Sequence, residues 1–490
     1  MCEIRAEKTG DSKHLTKILT KKEACNFHTH AVIPQGYTKI DYEAFTSRSN
    51  ISSIIIPDST TSIGAYAFNN CKNLANITIP NSVTTIGACA FEGCSSLTSI
   101  TIPNNVTVID KYTFTDCKNL ININIPEGVA NIEKNAFHGC EKLTTITMPN
   151  SITSIGARAF ANCKNLTNIN IPRSVTNIGA YAFADCENLT SITLPRGMAI
   201  IDNGVFHGCK KLKSIEIPDN ITNIGAYAFT GCENLTNINI PETITNINAY
   251  TFTDCENLTN INIPSSVTSI GKDAFFGCKK LSEIIIPEKV SKIDNGVFHG
   301  CGKMTNLKIP ESVTSIGEHT FFGCYNLDMA IPFRVTSIGT RAFYECKSLT
   351  NITIPEGVTS IEDYTFFGCC NLTNIIIPES VTSIGEHTFE DCENLTNINI
   401  PSSVTSIGKD AFFGCKKLTS LIIPNGVTSI DNGAFTDCEN LTNITLPDSV
   451  TTIGLAVFDW CSKLQVTCSK KSYAHKYCRQ HNISTKLIDT

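Results

Sequence analysis

No run of eighteen apolar residues occurs in the sequence, so nothing in it reads as a membrane-spanning helix. A basic surplus is missing too: 39 Lys and Arg face 45 Asp and Glu, a formal net charge of −6. Nucleic acid is therefore not expected as a partner. The first 24 residues, MCEIRAEKTGDSKHLTKILTKKEA, are charged throughout and lack the apolar core of a secretory leader. Also absent are a nucleophile–base motif, a phosphate-binding glycine loop and a His-Glu-x-x-His stretch. Catalysis and cofactor binding are not expected on those grounds.

What is present is repetition. All 19 prolines fall in one column, from Pro34 through Pro57 and Pro80 to Pro447, each 23 residues after the last. One step differs: Pro310 to Pro332 is 22, because YNLDMAIP is one residue shorter than ENLTNINIP. The unit reads L-T-x-I-x-I-P-x-x-V-T-x-I-G-x-x-A-F-x-x-C-x-x, for example Leu166 to Asn188. With Leu as position 1, the apolar residues at 1, 4 and 6 suit a short strand with one buried face. Proline at 7 has no N–H and ends that strand. Val at 10 and Ile at 13 carry the chain across a core. Position 14 is Gly, or else Asp110, Glu133, Asp202 or Asn248 in some units, as a turn or helix N-cap requires. The stretch A-F-x-x-C then predicts one or two helical turns with Ala, Phe and Cys inward. A single unit cannot bury its apolar face alone, so neighbours must stack into a solenoid.

This pattern resembles the BspA-type leucine-rich-repeat family over about residues 31–464. The resemblance implies an α/β-type leucine-rich-repeat solenoid of about 18–19 units. It would be a curved right-handed coil with a parallel sheet on the concave face and short helical turns opposite. Family members are often adhesins or host-interaction proteins, so it also implies non-catalytic binding to a protein or cell-surface partner. The missing leader sets a cytoplasmic default against this, with non-classical export to the cell surface or into a host as the alternative. No membrane insertion is expected, and a monomer is. Residues 1–30 read as an N-terminal segment or cap. The first unit is degenerate, with Arg48 in the Cys column. Residues 465–490 read as a C-terminal cap with a short helix over about 471–481, and the S-Y-A-x-x-Y tail is similar to those closing arrays of this family.

Eighteen of the 24 cysteines, Cys71 to Cys461, share one column. One Cys per coil makes a straight line rather than the convergent set a zinc ion needs, so these read as buried free thiols. Cys468 and Cys478 either bridge in an oxidising compartment or stay free. Cys25, His28 and His30 form C-x-x-H-x-H, which reads as a polar lead-in rather than a metal site; no metal is expected.

Two surfaces remain for binding. Strand positions 3 and 5 present an uncharged ladder, such as Asn122/Asn124 and Asn397/Asn399, interrupted by Ile55, Ile285, Ile376 and Ile422. Its main role is stacking support, with a glycan or small polar ligand as the alternative. Position 19, just after the core Phe, changes character along the chain. Its early residues are Asn, Glu, Thr, His and Ala; later it carries Phe276, Phe322, Tyr344, Phe367 and Phe413. These five are the candidate binding residues, an apolar stripe if the column faces outward. DCENLTNINIPSSVTSIGKDAFFGCKKL occurs at both 254–281 and 391–418, so Phe276 and Phe413 are copies of one event.

Overall fold

The computed structural model describes residues 16–488. The chain forms two compact units, one up to Val175 and one from Thr176. Each is a stack of coils held by parallel pairing between successive repeats.

In the first unit, His30–Val32, Ser53–Ile55 and Asn76–Thr78 pair in parallel and in register. This is the ladder that the alternating Leu, Ile, Ile pattern predicts. A second ladder runs through positions 12 and 13: Tyr37–Ile40 pairs with Ser62–Ile63, which pairs with Thr85–Ile86. The sequence reading had only a core crossing there. From Ser62–Ile63 onward each rung is two residues long, and its Ile side chain is buried while its neighbour faces water.

The second unit repeats both ladders. Glu283–Ile285 pairs with Asn306–Lys308, and Asn351–Thr353 with Asn374–Ile376. The short repeat falls between those two pairs. Among the described residues no strand forms over 329–331, yet the second ladder continues across it, Ser315 facing Ser337. The missing residue is thus absorbed by the first ladder alone. Met329 fills the core position that Ile holds elsewhere.

Opposite the strands the chain turns more tightly than an α-helix. Ala67, Asn69 and Cys71 donate their N–H groups three residues back, to Gly64, Tyr66 and Phe68. The intervening N–H groups of Tyr66, Phe68 and Asn70 donate forward to the carbonyls of Ala88, Ala90 and Glu92 on the next coil. That alternation requires a left-handed residue at positions 16 and 20, such as Tyr66 and Asn70, each at φ 57. A right-handed helix cannot pass through such residues. The expected helical turns are therefore successive tight turns, and position 14 begins a turn rather than capping a helix. Glycine there also admits close approach: a Cβ on Gly87 would meet the backbone nitrogen of Ala65 at 2.6 Å.

The core is built from columns. In the first unit Phe45, Phe68, Phe91, Phe114, Phe137 and Phe160 are fully buried, and consecutive rings stack 5.2–5.5 Å apart. Phe229, Phe252 and Phe275 do the same in the second, at 5.6 and 5.5 Å. Beside them the column thiols donate to the Phe carbonyl of the previous coil, as Cys71 does to Phe45 at 3.0 Å and Cys255 to Phe229 at 3.2 Å.

Two helices occur among the described residues, one near each end. Lys21–Ala24 takes the place of a turn segment and carries a capping box between Thr20 and Glu23. The coil stack thus begins inside the segment set apart as 1–30, with Lys17–Leu19 pairing to Tyr37–Ile40. Arg48 accounts for the degenerate first repeat: its guanidinium donates to the carbonyls of Ala24, Cys25 and Phe27. The Ala24 carbonyl also accepts the Phe27 N–H, while those of Cys25 and Phe27 lie past the helix end, where no further helical N–H follows. At the other end, Tyr473–Gln480 is N-capped by Ser472 and buries Ala474, Tyr477 and Cys478. Tyr477 closes the Phe column, its ring edge-on to Phe458 at 6.4 Å. Cys468 and Cys478 are both buried and free.

Candidate functional site

The position-19 side chains lie on the turn side of the coils, next to the buried Phe column but outside it. Phe276, Phe322, Tyr344, Phe367 and Phe413 are all half-buried. Four of them belong to one stack. Phe322 and Tyr344 lie 4.3 Å apart and 2° from parallel, and Tyr344 and Phe367 lie 4.5 Å apart and 6° from parallel. His299 bridges Phe276 to this group, with centroids 4.6 Å from Phe276 and 4.5 Å from Phe322. Phe413 does not join. Glu390 occupies the coil between it and Phe367, and Phe413 has no ring partner among the described residues.

A companion column stands at position 16, three residues earlier in each repeat. His319 lies 5.9 Å from Phe322, and Tyr364 lies 6.0 Å from Phe367. The Arg341 guanidinium sits 4.5 Å over the Tyr364 ring, whose other face stacks on His387 at 4.5 Å. His387 in turn bonds Glu390 through Nδ1, with Asp410 at 3.9 Å. Burial raises the Glu390 carboxyl above its ordinary range, against the lowering effect of His387. Sequence reasoning missed this companion column. Its signal was the recurrence of Tyr, His and Arg at one position, interpretable only once the turn geometry put positions 16 and 19 on one side.

His299 is held neutral. Burial pushes its imidazole below the usual value, and His319 nearby adds to the effect. The unfolded chain takes up a proton near pH 6.5, the folded one only at lower pH. This contribution to stability is therefore complete above about pH 6.5 and is lost as pH falls toward the folded value. The drop in Tm between about pH 7.5 and pH 5 is expected to be smaller in His299→Phe than in the wild type. Equal pH profiles by calorimetry would show that the neutral imidazole is not required for the stack.

The strand side differs. Its Asn and Thr side chains are exposed, as at Asn122/Asn124 and Asn397/Asn399. Two shallow cavities open there. One, of about 470 Å³, lies against Glu283, Ile285, Lys308 and Asp328 beside the short repeat. The other, of about 420 Å³, is lined by Asn374, Asn397, Asn399 and Ser420, with Ile376 and Ile422 on its rim. Ile285 and Ile422 are 78% and 72% exposed, so they form no part of the core. At the N-terminal end, Cys25 donates its thiol to the Lys21 carbonyl and His30 bonds Ser53. No group of three or more potential metal ligands is assembled among the described residues. No helix among them is long and apolar enough to cross a membrane.

The description BspA type leucine rich repeat region matches in overlapping stretches, 38–167, 130–259, 199–328, 245–370 and 336–465. The chain belongs to the BspA-type leucine-rich-repeat family. Like that family it is non-catalytic and has a general protein-binding role. It is similar to a leucine-rich repeat protein from Bacteroides ovatus, at 29% identity over 89% of this chain and 92% of that one, TM-score 0.39. It is also similar to a leucine rich cell surface protein from Faecalibacterium prausnitzii, at 28% identity over 71% and 87%, TM-score 0.40. No curated protein matches. The cytoplasmic default is overturned by these relatives, one of which is named as a cell surface protein. That default rested on the absence of one kind of apolar leader, which tests a single export route and no other.

Proposed function

We propose that this BspA-type solenoid binds a protein partner through the stacked column Phe276, His299, Phe322, Tyr344 and Phe367. Phe413 forms a separate contact beyond Glu390. The observation that carries this reading is the half-burial of rings that the core does not need. Every coil already buries its own Phe at position 18, so position 19 is free to vary, and Thr, Ala and Glu occupy it elsewhere. Stacking on neighbouring coils holds the rings in place, so little side-chain entropy is lost when a partner covers their edges. Cell-surface or host contact is the setting that family resemblance favours.

The test is quantitative recovery of partners from native material with the wild type and with Phe322→Ala/Tyr344→Ala/Phe367→Ala. Loss of at least one partner by about tenfold, at unchanged folding, is the expected result. Equal recovery of the same proteins by both forms sinks the reading. A second reading, a glycan on the strand face, is favoured by the uncharged cavity between Ile376 and Ile422. Absence of any hit on a glycan array would remove it.

A further inference from the structure

The residues beside the ring column narrow the partner's chemistry. Position 15, one residue before the companion column, is Ala, Lys, Asn, Tyr, Thr or Leu in most repeats. Acidic residues stand there at Glu318, Asp363 and Glu386 alone, on coils at or next to the ring stack. Glu318 and Glu386 lie in copies of one segment, PESVTSIGEHTF, and so reflect one event, with Asp363 a second. All three are exposed, and none has a cation within 4 Å among the described residues. Asp363 spends one oxygen on the N–H of Glu386 at 2.7 Å and keeps the other free. The surface also seats a cation of its own in Arg341, whose guanidinium lies on Tyr364 between the Glu318 and Asp363 coils. The face therefore combines ring edges with unneutralised carboxylates on the same few coils.

We propose that the partner segment seated on this column is cationic, an extended stretch alternating apolar residues with Lys or Arg. The apolar residues cover the ring edges, and the basic ones meet Glu318, Asp363 and Glu386. This rests on the reading of the column as the contact surface. At about 4.8 Å per coil the stack runs about 20 Å, the reach of about six extended residues. Charge complementarity at exposed carboxylates acts on encounter rate and choice of partner, and weakens with salt.

The experiment uses the full chain and synthetic peptides of about eight residues with fixed apolar positions. The alternate residues are Lys/Arg, Ser or Glu, and binding is read by fluorescence anisotropy. The Lys/Arg peptide is expected to bind at least about tenfold more tightly than the Ser peptide, and to weaken as salt rises. Glu318→Gln/Asp363→Asn/Glu386→Gln, exposed changes that keep an acceptor for the Glu386 N–H and leave Tm in place, is expected to erase that preference. Phe322→Ala/Tyr344→Ala/Phe367→Ala is expected to abolish binding of all three peptides. If all three bind alike to the wild type and fail with the ring variant, the cationic partner is overturned and the ring surface stands. If the Lys/Arg peptide binds the ring variant as well as the wild type, the ring surface fails and this inference fails with it. No binding of the Lys/Arg peptide by the wild type up to about 1 mM also overturns it.

Discussion

Replacing Phe321 by alanine is expected to destabilise the second unit by about 3–5 kcal/mol. The same change at Phe322, its neighbour in sequence, is expected to cost roughly 1–2 kcal/mol. Phe321 is fully buried, stacked 5.8 Å from Phe298 and 5.3 Å from Phe343. Its removal leaves a hole between coils whose backbones are tied by the second ladder, Ser315 to Ser337, and by the Phe321 N–H to the Ala342 carbonyl, so the coil cannot collapse to fill it. Phe322 is half-buried, and its removal opens the column to water rather than creating a void. Because each coil touches only its neighbours, the damage from Phe321→Ala stays local. Hydrogen exchange is expected to speed up in the coils around Phe298 and Phe343 and to stay slow around Phe435. Binding to the partner should show the opposite ranking. Equal stability losses for the two variants, measured by denaturant unfolding, would mean that position 19 belongs to the core and is not a contact surface.

Those two phenylalanines show how much of the molecule the sequence discloses. The period, the first ladder and the inward columns follow from spacing alone, because alternation and invariance at fixed positions leave few arrangements. The second ladder does not announce itself. Past Tyr37–Ile40 its rungs are two residues long, as at Ser62–Ile63, and no alternation develops over that length. The turn segment misleads outright, since Ala, Phe and Cys at positions 17, 18 and 21 have a spacing that a helix also satisfies. The contrary signal is the Gly, Asp and Asn at position 20, all suited to a left-handed backbone. At position 16 even that signal fails. Tyr227, Tyr250 and Tyr364 are left-handed there despite the poor fit of bulky residues to that region. The bonds running to the next coil impose the conformation, as Tyr227 donates to Ala249 and Tyr364 to Glu386.

The candidate surface was legible to the same degree. A change of residue type at position 19 is visible by subtraction from the repeat. That His299 completes the stack, that Phe413 is left out, and that Tyr364 and Arg341 share the face all depend on turn geometry. The acids at position 15 acquire meaning only after that geometry places them beside the rings.

Thiol chemistry gives the second large expected effect. At neutral pH a thiol reagent is expected to modify Cys25 readily and the buried column at least about 100-fold more slowly. Cys25 is exposed, while Cys94, Cys117, Cys140 and the others of the column are buried and free. Thiolate is the reactive form, and burial suppresses it: Cys71 is pushed up to about 11, and the deeper thiols further. Raising the pKa from about 9 to about 11, as at Cys71, alone lowers the thiolate fraction at neutral pH about 100-fold, and the closed coils add a barrier of access. The S–H groups are also engaged, donating to the Phe carbonyl of the coil before, as Cys415 does to Phe389 at 3.3 Å. In urea without reductant the whole column should label. Failure to label there would reveal disulfides between rungs and refute the ladder of free thiols. Rapid native labelling throughout would show coils opening one by one. The end of the column should differ from its middle. Cys461 is the last member and, at 9% exposure against 0% for the rest, the most accessible thiol of the column. Among the column cysteines Cys461 is therefore expected to react first, with protection rising inward from the C-terminal cap.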